Sequence, residues 1–209
     1  EAGFPEASIV ASNDLNENLI FSLKLQGAKI NVWGVGTQLA TGGEQAALGG
    51  VYKITAIKEN EEAEWVDKVK LSEQPIKISN PGLLNIRRFY RKSDGMMVGD
   101  VLYDTRHVPE GVVCAIDPID LTKRIEINPS EYESMELLQR VYHKGQKYRI
   151  EPEVRHIQTV CKKHMEELPD SVKRLDNPHQ YFVGLEEKVS NKKTNLIRKN
   201  RICKLEEEV

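Results

Sequence analysis

Lys29-Ile30-Asn31-Val32-Trp33-Gly34-Val35-Gly36-Thr37 is the stretch on which the reading of this chain turns. A short apolar run ends in Gly-Val-Gly-Thr, the pattern of a β-strand whose carboxyl end opens into a loop of bare backbone. Glycines let main-chain N–H groups approach an anion closely, and Thr37 adds a hydroxyl donor. Phosphate is the usual guest of such a loop. By itself the pattern is weak, since two glycines often make only a turn. Upstream, Ser8-Ile9-Val10-Ala11-Ser12 is a second short apolar run, followed by Asn13-Asp14-Leu15-Asn16-Glu17. Asp14 with Glu17 has the form of a capping box. Leu15, Leu19, Ile20 and Leu23 then mark one face of a helix that Gly27 closes. Residues 8–37 therefore read strand, helix, strand, loop. In a parallel βαβ unit, ligands sit at the carboxyl ends of the strands, where Ser12, Asn13, Asp14, Gly34, Gly36 and Thr37 fall.

Three blocks carry a family resemblance: Ile9-Val10-Ala11-Ser12-Asn13-Asp14-Leu15, Trp33-Gly34-Val35-Gly36-Thr37 and Ala47-Leu48-Gly49-Gly50-Val51-Tyr52-Lys53. In order and spacing they resemble nicotinate phosphoribosyltransferase. Lys77-Ile78-Ser79-Asn80-Pro81-Gly82 and Asn177-Pro178-His179-Gln180-Tyr181-Phe182-Val183-Gly184-Leu185 are similar to that family's C-terminal region. The resemblance implies an α/β fold: the C-terminal part of a phosphoribosyltransferase-type α/β barrel, then an antiparallel β layer and C-terminal helices. It also implies that the chain is a C-terminal portion, beginning within the helix after an earlier barrel strand.

The implied reaction is displacement of pyrophosphate from C1 of phosphoribosyl pyrophosphate by nicotinate, with coupled ATP hydrolysis. That chemistry needs a positioned oxocarbenium-like ribose and a neutralised pyrophosphate, which implies Mg²⁺ beside ATP. By resemblance, Gly36 and Thr37 hold the ribose 5-phosphate, Gly34 shapes the turn, and Asn13 and Asp14 face the ribose. Asp14 cannot serve fully as ribose ligand and helix cap, which leaves Asn13 as the expected cap. The family's phosphorylated histidine has no match among the five histidines here, so no catalytic residue and no metal ligand is expected in this portion, and the portion alone is expected to be inactive. Two departures stand out. Glu44-Gln45-Ala46-Ala47 lacks the proline of the family's acidic-Gln-Pro-Ala run, and Leu83-Leu84-Asn85 stands where a lysine usually follows Pro-Gly.

Composition narrows the classes. The 209 residues are 39% apolar and 30% charged, with a net charge of −2. That balance gives no bulk attraction for nucleic acid or an anionic membrane. No run approaches the roughly 20 apolar residues of a membrane span. Cys114, Cys161 and Cys203 are odd in number and widely spaced, which suits free thiols in a reducing cytoplasm.

Three regions are expected: 1–50, the last βαβ part of the barrel; 51–148, antiparallel and β-rich; and 149–209, helical. Within the second, strands are expected at 51–57, 65–71 and 75–79, with a hairpin of 85–92 and 96–103 around Ser93-Asp94-Gly95. Residues 106–130 read as irregular with one or two edge strands, and 135–142 as the first arm of a hairpin turning at His143-Lys144-Gly145-Gln146. Helices are expected at 151–168 and from Leu185 to about Arg201.

Arg87, Arg88, Arg91 and Lys92 fall on both faces of their hairpin, as a solvated hairpin or an interface contact to phosphate would place them. The cations of the last helix read as an exposed face offset by Glu206, Glu207 and Glu208. Trp33 is expected as core beneath the loop, Cys161 as buried, His156 and His164 as ordinary surface residues, and His179 in a turn. The resemblance implies a homodimer with a shared pocket, with nicotinate and phosphoribosyl pyrophosphate as small-molecule partners. Two other readings remain open: a non-catalytic phosphate- or nucleotide-sensing module, and a sister phosphoribosyltransferase for another pyridine base.

Overall fold

The computed structural model describes residues 3–43, 46, 47, 49–148 and 152–202. Glu44, Gln45, Leu48, the expected start of a helix at Glu151, Cys203 and the acidic Glu206–Glu208 lie outside the described residues. Internal contacts divide the chain into two units, residues 1–52 and 53–209.

In the first unit, β1 (Val10–Ser12) leads to α1 (Glu17–Leu25) and then to β2 (Val32–Gly34), which lies parallel to β1. The register pairs Val10 with Val32 and Ser12 with Gly34. This is the βαβ unit that the apolar runs specify. The helix cap is a correction: neither Asp14 nor Asn13 caps α1. Asn16 does, its Oδ1 accepting the Leu19 N–H at 2.8 Å. A side chain at the N-cap reaches the N–H three residues on, and α1 begins two residues later than the capping-box pattern implies. Gly27 closes the helix as expected, with φ +76° and its N–H on the Lys24 carbonyl. A short helix, α2 (Thr37–Thr41), follows Gly36 directly, where the sequence suggested only loop.

The second unit is built on a six-stranded sheet. Its strands are β5 (Leu84–Arg91), β6 (Met97–Asp104), β7 (Val113–Ile116), β8 (Arg124–Ile127), β9 (Tyr132–Glu136) and β12 (Phe182–Glu186). Their spatial order is β8-β7-β12-β6-β5-β9. The β5–β6 hairpin is the one the Ser93-Asp94-Gly95 turn dictates, with a register shift between Phe89 and Tyr90. β3 (Ala56–Ile57) and β4 (Val66–Asp67) pair antiparallel but are shorter than expected. Pro75–Lys77 is a 3₁₀ turn and not a strand, with the Ile78 N–H on the Pro75 carbonyl. β10 (Tyr142–His143) and β11 (Gln146–Lys147) flank Lys144-Gly145, both at positive φ. The turn is where it was expected, but the arm 135–142 divides between β9 and β10.

α3 (Val154–Glu167) carries its apolar residues on one face, yet Val154, Ile157 and Met165 are largely exposed, and so is Cys161. The expectation of a buried Cys161 fails because helical periodicity names a face without saying what covers it. α4 (Glu187–Ile202) follows β12 without a loop. The expected helix start at Leu185 is also corrected, since Leu185 is a β12 residue paired with Leu102 and Ile116.

The core gathers Phe89, Val101, Val113, Ala115 and Ile127, and Leu185 and Val189 are fully buried. Beside it lies a cluster of charges. Asp104, only 2% exposed, is bonded by Arg106 and by Lys192, whose Nζ is 2.9 Å from Oδ2. The same two cations reach Asp67, at 2.5 Å from Arg106 and 2.8 Å from Lys192. β4, the end of β6 and α4 are thus joined through four side chains.

Candidate functional site

The parallel β1–β2 pair brings two chain ends to one rim. At the end of β1, Asn13 and Asp14 both take positive φ, +83° and +46°. Asn and Asp are the residues besides Gly that tolerate this region. The consequence is a sharp turn off the strand, with both side chains exposed. Because Asn16 does the capping, neither Asn13 nor Asp14 is committed to the helix.

Opposite them, Gly34 sits directly across from Ser12. A Cβ on Gly34 would lie 3.1 Å from the Ser12 Cβ and 3.4 Å from the Ala11 carbonyl. Its lack of a side chain therefore serves the close approach of the two strands. Gly36, by contrast, faces open space. It stands just before α2 and its carbonyl accepts the Ala40 N–H. No described residue accepts a hydrogen bond from the N–H of Val35, Gly36 or Thr37. The first N–H groups of a helix have no partner within it, which accounts for the N–H of Thr37. The Thr37 carbonyl accepts the Thr41 hydroxyl at 2.8 Å, and the Thr37 side chain is exposed. Trp33 is half-buried, partial support for its role as packing under the loop.

A cleft of about 710 Å³ opens between the first turn of α1 and α2, lined by Asn16, Glu17, Asn18, Gln38, Leu39, Gly42 and Gly43. It is lined by residues just beyond the rim set and by none of that set. Sequence reasoning missed it because α2 itself was not foreseen.

The cations of the β5–β6 hairpin are engaged within the chain. Arg88 makes a bidentate pair with Asp100, both bonds 2.8 Å, and Asp100 also accepts the Tyr181 hydroxyl at 2.9 Å. Burial and the Asp100 charge push the Tyr181 hydroxyl well above its ordinary range. Arg87 pairs with Glu136 at 2.8 Å and lies 5.0 Å over the Tyr103 ring. Arg91 pairs with Asp94, and Lys92 donates to the Pro129 carbonyl. Arg87 and Arg88 are thus held in ion pairs, while Arg91 and Lys92 stay exposed, as a solvated hairpin would have them. Lys192 and Lys193 do not belong to an exposed basic face: both turn inward from α4. His179 lies beside Asn177, at φ +47°, and its N–H donates to the Ser171 carbonyl at 2.8 Å.

Residues 85–193 match the model for the nicotinate phosphoribosyltransferase C-terminal domain. Nicotinate phosphoribosyltransferase of Bacillus subtilis is 34% identical over 213 aligned residues, covering all of this chain. The chain belongs to the nicotinate phosphoribosyltransferase family. The family member from Dictyostelium discoideum is 31% identical across 92% of the chain. The chain spans 42% of the Bacillus subtilis nicotinate phosphoribosyltransferase and 33% of the Dictyostelium one. Among solved structures, human nicotinic acid phosphoribosyltransferase aligns with a TM-score of 0.63 at 23% identity, over 91% of this chain and 33% of that one. The shared mixed α/β fold is what that alignment conveys.

Proposed function

We propose that this chain supplies the ribose-phosphate side of the pocket in a nicotinate phosphoribosyltransferase. In that protein nicotinate displaces pyrophosphate from phosphoribosyl pyrophosphate, giving nicotinate mononucleotide for NAD synthesis, with ATP hydrolysis coupled to the step. The reading rests on family membership together with one observation: the N–H groups of Val35, Gly36 and Thr37 bond to no described residue, at the same end of a parallel strand pair as the exposed Asn13 and Asp14. In it, Gly36 and Thr37 hold the 5-phosphate, while Asp14 accepts from ribose hydroxyls and Asn13 stands beside it. Fixed donors of this kind bind the dianion without reorganising, and binding energy from the remote phosphate helps orient C1 for attack.

Mg²⁺, when bound, would offset charge on the leaving pyrophosphate. Among the described residues no group of three His, Cys, Asp or Glu side chains is placed to hold a metal. Asp14 is the one carboxylate in the rim set, which fits an ion bound mainly through substrate phosphates. No residue of this chain is assigned to ATP or to the pyridine ring. The chain alone is therefore proposed to be inactive, and the working unit a homodimer. No described helix is long and apolar enough to cross a membrane, and a cytoplasmic setting is proposed.

The test is a substrate panel on the full-length protein. Nicotinate should yield mononucleotide in the presence of phosphoribosyl pyrophosphate, while nicotinamide and quinolinate should not. Turnover confined to another base would replace the substrate assignment. Full activity from the 209-residue chain alone would overturn the division of the pocket.

A further inference from the structure

Within the second unit, α4 buries a lysine that no carboxylate balances. Lys193 is 7% exposed, and its Nζ donates to the Asn80 Oδ1 at 2.9 Å. An ammonium has three protons to donate, and among the described residues this one reaches no second acceptor. A buried charge ordinarily has an opposite charge beside it, as Lys192 has in Asp67 and Asp104. Lys193 instead feels a charge of its own sign. Burial first, and Lys53 second, push its ammonium below the ordinary lysine pKa. The Lys53 Nζ donates to the Lys77 carbonyl at 2.7 Å and, among the described residues, pairs with no carboxylate.

Lys193 also lines two small cavities, of about 120 and 90 Å³, between α4, the Pro75–Lys77 turn and the loop after β7. Ser190, Lys193 and Thr194 stand at i, i+3 and i+4 and so share one face of the helix. All three line the larger cavity, where the Ser190 and Thr194 hydroxyls bond to no described residue. Ile78, Pro118 and Ile119 are apolar walls of both cavities, and no described carboxylate lines either. One cation, two hydroxyl donors and an apolar wall make a site for an anion. Size then selects which. Both volumes fall short of the roughly 150 Å³ that holds benzene, yet exceed several times the about 30 Å³ share of one water. A halide ion is only slightly larger than a water molecule. No guanidinium fork or run of free N–H groups is present for a multiply charged oxyanion.

We propose that the larger cavity binds a chloride ion, held by the Lys193 ammonium and the Ser190 and Thr194 hydroxyls against Ile78, Pro118 and Ile119. The site lies wholly within the second unit and does not depend on the proposed reaction. Its occupancy would balance the buried charge where α4 meets the 3₁₀ turn and the loop after β7.

Melting temperatures of the full-length protein in sodium chloride and in sodium gluconate, at equal ionic strength, test this. Gluconate is too large for the cavity. Chloride should raise the melting temperature by several degrees, and the rise should saturate as it does for one bound ligand. Bromide should act in the same way. In Lys193→Met the two salts should give one melting temperature, and a cooperative transition is the check on folding. A measurement free of variants guards against misfolding: crystals of the unaltered protein grown in bromide should show an anomalous-scattering peak in contact with the Lys193 Nζ. Equal melting temperatures of the unaltered protein in the two salts, the same chloride response in a folded Lys193→Met protein, or water alone against Lys193 in the bromide crystals would each overturn the proposal.

Discussion

Asp14 and Asn13 were the caps open to a reading from sequence, and the structure gives that role to Asn16. Asn16 caps α1 through its bond to the Leu19 N–H. Asn16→Ala should lower stability by about 1 kcal/mol, visible as a drop in melting temperature. Asp14→Asn, which keeps a side chain that tolerates the φ of +46°, should leave the melting temperature nearly unchanged, because Asp14 caps nothing, and should raise the KM for phosphoribosyl pyrophosphate in the full-length protein. The reverse pattern would return Asp14 to a structural role. Thr37→Ala should likewise raise that KM, by the equivalent of about 1–3 kcal/mol if a charge-assisted hydrogen bond to phosphate goes. Steady-state kinetics with an unaltered KM would dissociate Thr37 from the phosphate. At Gly82 the limit is space. Its φ is +118°, and a Cβ there would meet the Asp104 Oδ2 at 2.6 Å. Gly82→Ala should destabilise by about 2 kcal/mol or more, since backbone conformation and the charge cluster are both disturbed. Denaturant melts would detect it as a lowered midpoint.

Among the elements, β12 shows best what local pattern conveys. Phe182-Val183-Gly184-Leu185-Glu186 is too short and too close to a helical run to declare itself. Its strand character comes from its neighbours: it lies parallel to β6 and antiparallel to β7, in the interior of the sheet. Gly184 fits there because a Cβ would come within 2.6 Å of the Phe182 ring. The β5–β6 hairpin was legible because its turn and both arms are contiguous in the chain, so local chemistry sets the register. The gathering of the rim residues at one end of the β1–β2 pair was legible for a similar reason. These residues sit at the ends of two runs joined by one helix, and a right-handed βαβ crossover leaves little choice about where they meet. α2 was not, because Thr37-Gln38-Leu39-Ala40-Thr41 is too short to show a helical period.

At the scale of the whole molecule, the charge cluster of Asp67, Asp104, Arg106 and Lys192 joins segments as distant in sequence as β4 and α4. Burial pushes the Asp104 carboxyl up, but the hydrogen bonds from Arg106 and Lys192 together outweigh it and hold the group well below the usual carboxylate range. A carboxyl depressed on folding adds stability that is complete above its unfolded pKa, about 3.9, and is lost as pH falls toward the folded value. Stability should therefore decline below about pH 4, and Asp104→Asn should flatten that acid limb while lowering stability near neutrality by about 3–5 kcal/mol, as when one partner leaves a buried pair. Urea melts at stepped pH would give both effects, and an acid limb of unchanged slope in the variant would remove Asp104 as its source. The sequence by itself determined the βαβ unit, the central hairpin and the residues gathered at the rim, because each depends on side-chain period or turn chemistry within a few dozen residues. Only the tertiary structure decided that Lys192 and Lys193 turn inward, that the hairpin arginines are spent on internal partners, and that a strand from the C-terminal stretch completes the sheet. Those outcomes rest on which distant segments meet, and charge or hydropathy along a chain carries no record of the partner across the fold.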